Sequence, residues 1–139
     1  DKSTAKITKP LKGAASECRT VKEEYLASCL AGAFRAAAKA VKSSQPDYRD
    51  ARKILTDAAK KLEGLQKANA DKSVPKKRSK NGTYRAVKKE AVTGVKKSAL
   101  KIVQEAETML IRSSGSGKRQ LHYQRISQAV GSPKVLLRS

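Results

Sequence analysis

The sequence has no tryptophan, one phenylalanine (Phe34), one methionine (Met109) and four tyrosines (Tyr25, Tyr48, Tyr84, Tyr123). Stacking on single-stranded nucleic acid is therefore disfavoured, because it needs exposed rings and these few fall at core-like positions. There is one histidine, His122, and its nearest acid in sequence is Glu107. A triad needs an acid to orient the imidazole, so a surface or partly packed ring is favoured over a catalytic or metal-bound one. Two cysteines and one distant histidine are too few for a four-ligand zinc site. The acids are scattered. Glu23 with Glu24, and Glu105 with Glu107, are the only close groups, and neither sits in an apolar pattern that would raise a carboxyl pKa. Ser114-Gly115-Ser116-Gly117-Lys118 looks superficially like a phosphate loop, but that pattern wants glycine where Arg112 stands and Ser or Thr where Arg119 stands. No zinc-finger, RNA-recognition or KH signature is present. No stretch approaches the roughly 18 apolar residues of a membrane-spanning helix. No enzyme, metal site or cofactor is expected.

Positive charge is what the chain has in excess. Lys and Arg number 32 against 12 Asp and Glu, for a net charge of +20 over 139 residues. That implies self-repulsion in the compact state and a polyanionic partner: nucleic acid, an anionic membrane or envelope polymer, or an acidic protein. The bland alternative is a solvated basic surface with no dedicated ligand. Summed by segment, the charge is +3 for 1–20, +2 for 21–43, +1 for 44–71, +5 for 72–83, +4 for 84–113 and +5 for 114–139. The excess lies in the second half.

Helix formers dominate and β-branched runs are absent, which predicts an all-α fold. The expected architecture is an antiparallel bundle of three long helices plus a short C-terminal helical segment, in one domain over 14–139. Residues 1–13, with Lys2, Lys6, Lys9, Lys12 and Pro10, read as an extended basic arm. A first helical region spans 14–43, with an apolar face through Val21, Tyr25, Leu26, Cys29, Leu30, Phe34, Ala37 and Val41. Thr20 and Glu23 form a capping-box pattern that would start its main helix near residue 20. Ser44-Gln45-Pro46-Asp47 is the clearest punctuation, with Ser44 and Asp47 as a second cap pair. A helix from about Pro46 to Asn69 follows, striped by Tyr48, Ala51, Leu55, Ala58, Leu62 and Leu65. Residues 70–83 form a linker with five basic residues and no acid between Lys72 and Gly82, ending in an Asn81-Gly82 turn signal.

The long amphipathic pattern from Tyr84 to Arg112 predicts the third helix. Thr83 would cap it, Gly94 would mark a close helix contact, and Ser113-Ser114-Gly115 would end it. After a glycine-serine joint, 118–130 is weakly helical without a clean face. Gly131 and Pro133 stop it, and Val135-Leu136-Leu137 is a short apolar end fit to dock on the bundle.

Cys18 and Cys29 would lie roughly 16 Å apart along an unbroken helix, whereas a disulfide needs their Cα atoms within about 7 Å. A bridge therefore requires the chain to bend between them, and Thr20 offers the bend. The chain opens on Asp1 rather than methionine, which fits a mature chain after leader removal or a trimmed one. An even cysteine count then fits an exported protein, periplasmic or secreted, with one bridge; two buried thiols in a reducing compartment are the alternative.

The first functional expectation is a polyanion-binding module using Lys76, Lys77, Arg78, Lys80, Arg85, Lys89, Lys96, Lys118, Arg119 and Arg125 as one basic surface, with Arg85, Lys89 and Lys96 on one side of the long helix. The second is an exported helical protein, with the Cys18–Cys29 bridge, that binds a protein partner. The open end of the 46–69 stripe leaves room for a dimer.

Overall fold

The computed structural model describes residues 2–42, 44–79 and 82–138. Among these, helices span Lys2–Glu17 (α1), Leu26–Ala40 (α2), Arg49–Ala68 (α3), Val92–Arg112 (α4), Gly117–Gly131 (α5) and Lys134–Leu137 (α6). Lys77–Ser79 (β1) and Gly82–Tyr84 (β2) form an antiparallel hairpin in which Lys77 faces Tyr84 and Arg78 faces Thr83. The fold class is the expected one, an all-α helical bundle. Its most extensive packing is α2 on α3, with α1 against α2 and α5, and α4 against α3 and α5. Buried alanines such as Ala37, Ala51 and Ala59, each 0 % exposed, let these helices approach closely.

The expected extended arm over 1–13 is instead the greater part of α1. Thr4, Ile7, Thr8, Leu11 and Ala14 recur at steps of three and four and are all buried. Lys2, Lys6, Lys9 and Lys12 lie on the opposite, exposed face, so the lysine spacing is itself helical. Pro10 sits inside this helix, where a proline costs about 3 kcal/mol. Full burial of Ile7 and Leu11, at roughly 1.5–3 kcal/mol each, is enough to offset it.

After α1 the chain turns back sharply. Thr20 Oγ1 donates to the carbonyl of Glu17 at 2.7 Å, closing the end of α1 rather than starting α2. The Thr20–Glu23 capping box is not formed: a 3-10 turn over Glu23–Tyr25 leads into α2, and neither start carries a side-chain cap. The bend brings Cys18 and Cys29 together in a disulfide, with their Cα atoms 5.7 Å apart.

The Ser44–Asp47 pair does not cap α3 either. A distant residue does that work. The hydroxyl of Tyr123, which is 0 % exposed, accepts from Ala51 N–H at 3.0 Å and donates to the carbonyl of Asp47 at 2.8 Å. It thereby satisfies an amide that the first turn of a helix otherwise leaves unpaired. The α3 stripe is as expected, with Tyr48, Ala51, Leu55, Ala58 and Leu62 buried and Leu65 half-buried.

The expected helix over 84–112 begins at Val92. Tyr84 belongs to β2, and Val87 pairs with Ala70 in an isolated bridge. Val87 N–H donates to Glu24 O at 2.8 Å and Lys88 N–H to Asn69 O at 2.9 Å, so these amides are satisfied outside any helix. Ala86 and Val87 are both buried in succession, which is extended chain turned onto the core rather than a helical face. Thr83 is consequently in a strand, not at a cap. Gly94 falls in the exposed first turn of α4, with nothing within 4 Å of where a Cβ would sit, so it is not a close helix contact.

The stretch read as weakly helical is α5, a full core helix. Its face runs through Tyr123, Ile126, Ser127 and Val130, all buried, whereas Leu121 is 49 % exposed. Gly115 and Gly117 take φ +66° and +64°, the left-handed geometry that lets the chain reverse between α4 and α5. Leu137 of α6 docks on the core as expected, while Val135 is exposed.

Candidate polyanion-binding surface

Between Asp71 and Glu90 the chain carries Lys72, Lys76, Lys77, Arg78, Lys80, Arg85, Lys88 and Lys89 and no acid. Lys80, and the Asn81 of the turn signal, lie outside the described residues. The other seven cations are all exposed.

The loop that bears them is fastened at its base and along its length. Asp71 N–H donates to Ala86 O at 3.1 Å beside the Ala70–Val87 bridge. The buried Gln66 amide reaches the same carbonyl at 3.0 Å. Tyr25 OH donates to Pro75 O at 3.0 Å, Arg85 N–H to Ser28 Oγ at 3.0 Å, and Tyr84 OH to Glu17 Oε1 at 2.7 Å. α1, α2, α3 and the turn before α2 each hold the loop. Most of these ties are to backbone groups, and none uses a cationic side chain. Burial, and then the Glu17 hydrogen bond, push the Tyr84 phenol up. At the loop entrance Asp71 is held below the usual carboxylate range, chiefly by the Ser73 hydroxyl and then by the Ser73 backbone N–H, with Lys88 adding to it.

Five of the acids are paired with cations elsewhere in the fold. Arg35 pairs with Glu63 at 2.7 Å, Lys61 with Glu105 at 3.1 Å, Lys96 with Glu23 at 2.8 Å, Arg119 with Asp50 at 2.8 Å and Lys134 with Glu107 at 2.9 Å. Among the described residues, no ion pair involves the seven loop cations.

The ten cations expected to form one surface divide into groups. Lys76 and Arg85 line one cleft with Lys72, and Lys77 and Arg78 stand on the adjoining hairpin strand. Lys89 is exposed, but it and Arg85 precede α4, so the expected alignment of Arg85, Lys89 and Lys96 along one helix does not exist. Lys96 is only 7 % exposed; its ammonium is turned to Glu23 and is no part of the basic surface. Arg119 is a structural pin: Nη2 meets Asp50 Oδ2 at 2.8 Å, Nη1 meets Asp47 O at 3.1 Å, and Nε and Nη2 meet Ser113 O. Its guanidinium lies 4.7 Å from the Tyr123 ring centre. Lys118 and Arg125 are exposed on α5.

Distance separates these groups. The loop leaves the C-terminal end of α3 and enters the N-terminal end of α4, whereas Arg119 sits against the start of α3 and follows the end of α4. With 20 and 21 residues in those helices, the two ends are about 30 Å apart.

One further basic face was not expected. α1 runs from Thr4, whose hydroxyl lies 2.8 Å from Tyr48 OH near the start of α3, to Glu17 beside Tyr84 of the hairpin. Its exposed lysines, Lys2, Lys6, Lys9 and Lys12, therefore extend along the interval between the two ends. Lys9 and Tyr84 line the same cleft, at whose side the disulfide lies. The three-and-four spacing of these lysines was the available signal.

His122 is partly buried, with Nδ1 3.2 Å from Thr4 Oγ1 and its ring stacked 5.7 Å from that of Tyr48. Burial first, and then the positive charge of the chain's amino terminus, of Arg125 and of Lys118, hold its pKa below the ordinary value. Among the described residues, no group of three or more His, Cys, Asp and Glu side chains is placed to hold a metal ion, and no helix is long and apolar enough to cross a membrane. No protein-family model, curated protein or solved structure matches this chain, so its site stands on its own geometry.

Proposed function

We propose that this protein is a non-enzymatic module that binds an extended polyanion, nucleic acid or an anionic envelope polymer, through the loop Lys72–Lys89 and the lysine face of α1. The observation that carries the reading is the fastened loop: seven exposed cations, none in an ion pair among the described residues, on a backbone held by four parts of the bundle. A surface ordered before binding loses less conformational entropy when it binds. Lysines and arginines of this kind meet phosphates or other polymer anions and contribute affinity without sequence selection. The scarcity of exposed aromatics agrees with charge, rather than stacking, as the source of affinity. The Cys18–Cys29 bridge favours an oxidising compartment, and in that setting the polyanion is one met outside the cytosol.

The test is binding of the disulfide-bonded protein to random duplex DNA, and in parallel to a non-nucleic polyanion such as heparin, across a salt series. Each phosphate contact adds about 0.9 to the slope of log affinity against log salt. A slope of roughly −3 to −6 is expected with DNA, with little dependence on sequence. Binding that ignores salt, or no binding to either polymer at low salt, overturns the reading.

The bridge also favours a second reading, an exported helical protein whose basic surface meets an acidic protein partner. In that case an acidic protein displaces both polymers from the basic surface at the same salt.

A further inference from the structure

Away from the hairpin, α1 packs against α5, and between them lies a cavity of ≈ 290 Å³. Among the described residues it is lined by Thr4, Ala5, Thr8, Lys12, Arg125 and Gln128, none of them an acid. Thr4 and Thr8 are buried, and their hydroxyls are fixed: Thr4 Oγ1 lies 2.8 Å from Tyr48 OH and 3.2 Å from His122 Nδ1, and Thr8 Oγ1 donates to Ala5 O at 3.3 Å. The wall is therefore a set polar network. Over it stand two like charges, neither in an ion pair among the described residues, and an amide able to donate twice. Arg125 offers the planar fork that matches a tetrahedral oxyanion in two hydrogen bonds, and Lys12 a compact point charge. Two exposed cations at the rim of one cavity repel each other, if weakly through solvent, and an anion between them removes that cost.

We propose that this cavity is a discrete site for one tetrahedral oxyanion, a phosphate or sulfate group, held by Arg125 and Lys12 with Gln128 completing its shell. The cavity has room for such a group and several waters, at about 30 Å³ per water. The site does not depend on the hairpin loop: it is saturable, takes one oxyanion group, and stands if the loop binds nothing.

His122 supplies the readout. It is the only histidine of the chain, so its ring signals in an NMR spectrum are unambiguous, and Thr4 joins it to the cavity wall. Inorganic phosphate is titrated into the disulfide-bonded protein, with sodium chloride at equal ionic strength as the control. The expected result is a saturable shift of the His122 signals and a rise in the imidazole pKa, because an anion beside Arg125 offsets a positive charge that lowers it. Arg125→Gln and Lys12→Gln each weaken phosphate binding about tenfold, and Lys101→Gln, at an exposed position of α4, leaves it unchanged. Both substituted side chains are exposed, so the fold is retained, which circular dichroism checks. Gln128→Glu keeps both cations and puts a carboxylate in the cavity, and is expected to abolish binding. A response that chloride reproduces, or one that survives both Arg125→Gln and Lys12→Gln, overturns the proposal. A short oligonucleotide titrated in the same way separates the sources. An Arg125-dependent shift with phosphate alone supports a free anion as occupant, and one with the oligonucleotide also supports a phosphate of a bound polymer.

Discussion

The two ends of the bundle carry the same residue types and use them oppositely. At the α3 start, Arg119 is joined to Asp50, to the carbonyls of Asp47 and Ser113 and to the face of Tyr123, while Tyr123 caps the helix. At the hairpin end, Lys76, Lys77 and Arg78 stand exposed, without ion pairs among the described residues, and the loop beneath them is held by Tyr25, Tyr84, Gln66 and Ser28 through neutral hydrogen bonds or a single carboxylate. A cation becomes part of the architecture where an acid and a set of carbonyls converge on it. With 12 acids for 32 bases, most cations have no such partner, and where few acids face them a positive field remains over the surface.

The comparison breaks or sharpens under substitution, most strongly at the hairpin. Changing Lys76, Lys77 and Arg78 together to Gln is expected to reduce affinity for duplex DNA roughly five-hundredfold near 0.1 M salt and to flatten the salt slope by about 2.7. Stability measured by urea unfolding should move by no more than about 0.5 kcal/mol. If stability falls and the slope does not, the two ends are not different in kind.

Next in size is the covalent staple at the hairpin end. Replacing Cys18 and Cys29 by Ser opens a loop of sequence separation 11, with an expected loss of about 3 kcal/mol, or roughly 10 °C in Tm. A calorimetric scan with and without reductant checks both the size and the need for the bridge.

Arg119→Gln, at the other end, should lower unfolding free energy by about 2 kcal/mol through the lost charged hydrogen bonds and ring contact. The salt slope of polyanion binding should not change. A slope that flattens in this variant would return Arg119 to the binding surface.

The smallest effect is the pH response of His122. Its folded-state pKa lies below the ordinary 6.5, by burial first and then by neighbouring positive charge, so the unfolded chain takes up its proton first as pH falls. The stabilisation is complete above about 6.5 and is lost as pH drops through the lower folded value. A shallow fall in Tm across that window, absent in His122→Gln, is expected.

The class of fold was legible because α3 states it without ambiguity: one stripe, one proline at its start and one break at its end. α1 and α5 were legible in principle but masked. In α1 four lysines and Pro10 dominate the composition, and the alternation of Thr4, Ile7, Thr8 and Leu11 is half threonine, so its apolar face is faint. In α5 the conspicuous Leu121 points outward, and a tyrosine with a serine completes the inner face. The segment 84–91 could not be told from helix by period alone, because its amides are satisfied by Glu24 and Asn69, partners far away in sequence. For the same reason Lys96 and Arg119 looked like surface charge: Glu23 and Asp50 lie 73 and 69 residues away. Spacing reports which face a residue takes; it carries no record of which acid waits on the other side.

The way the loop is fastened has a consequence for how this protein changes over time. Since its anchors are main-chain atoms, a few neutral side chains and the Glu17 carboxylate, and none is a cation, Lys72, Lys76, Lys77 and Arg78 are written independently of the fold. Substitution at those positions changes the charge of the loop without the bundle having to repack, so one scaffold has room to vary its surface charge, or to carry a grafted loop, by single-residue steps.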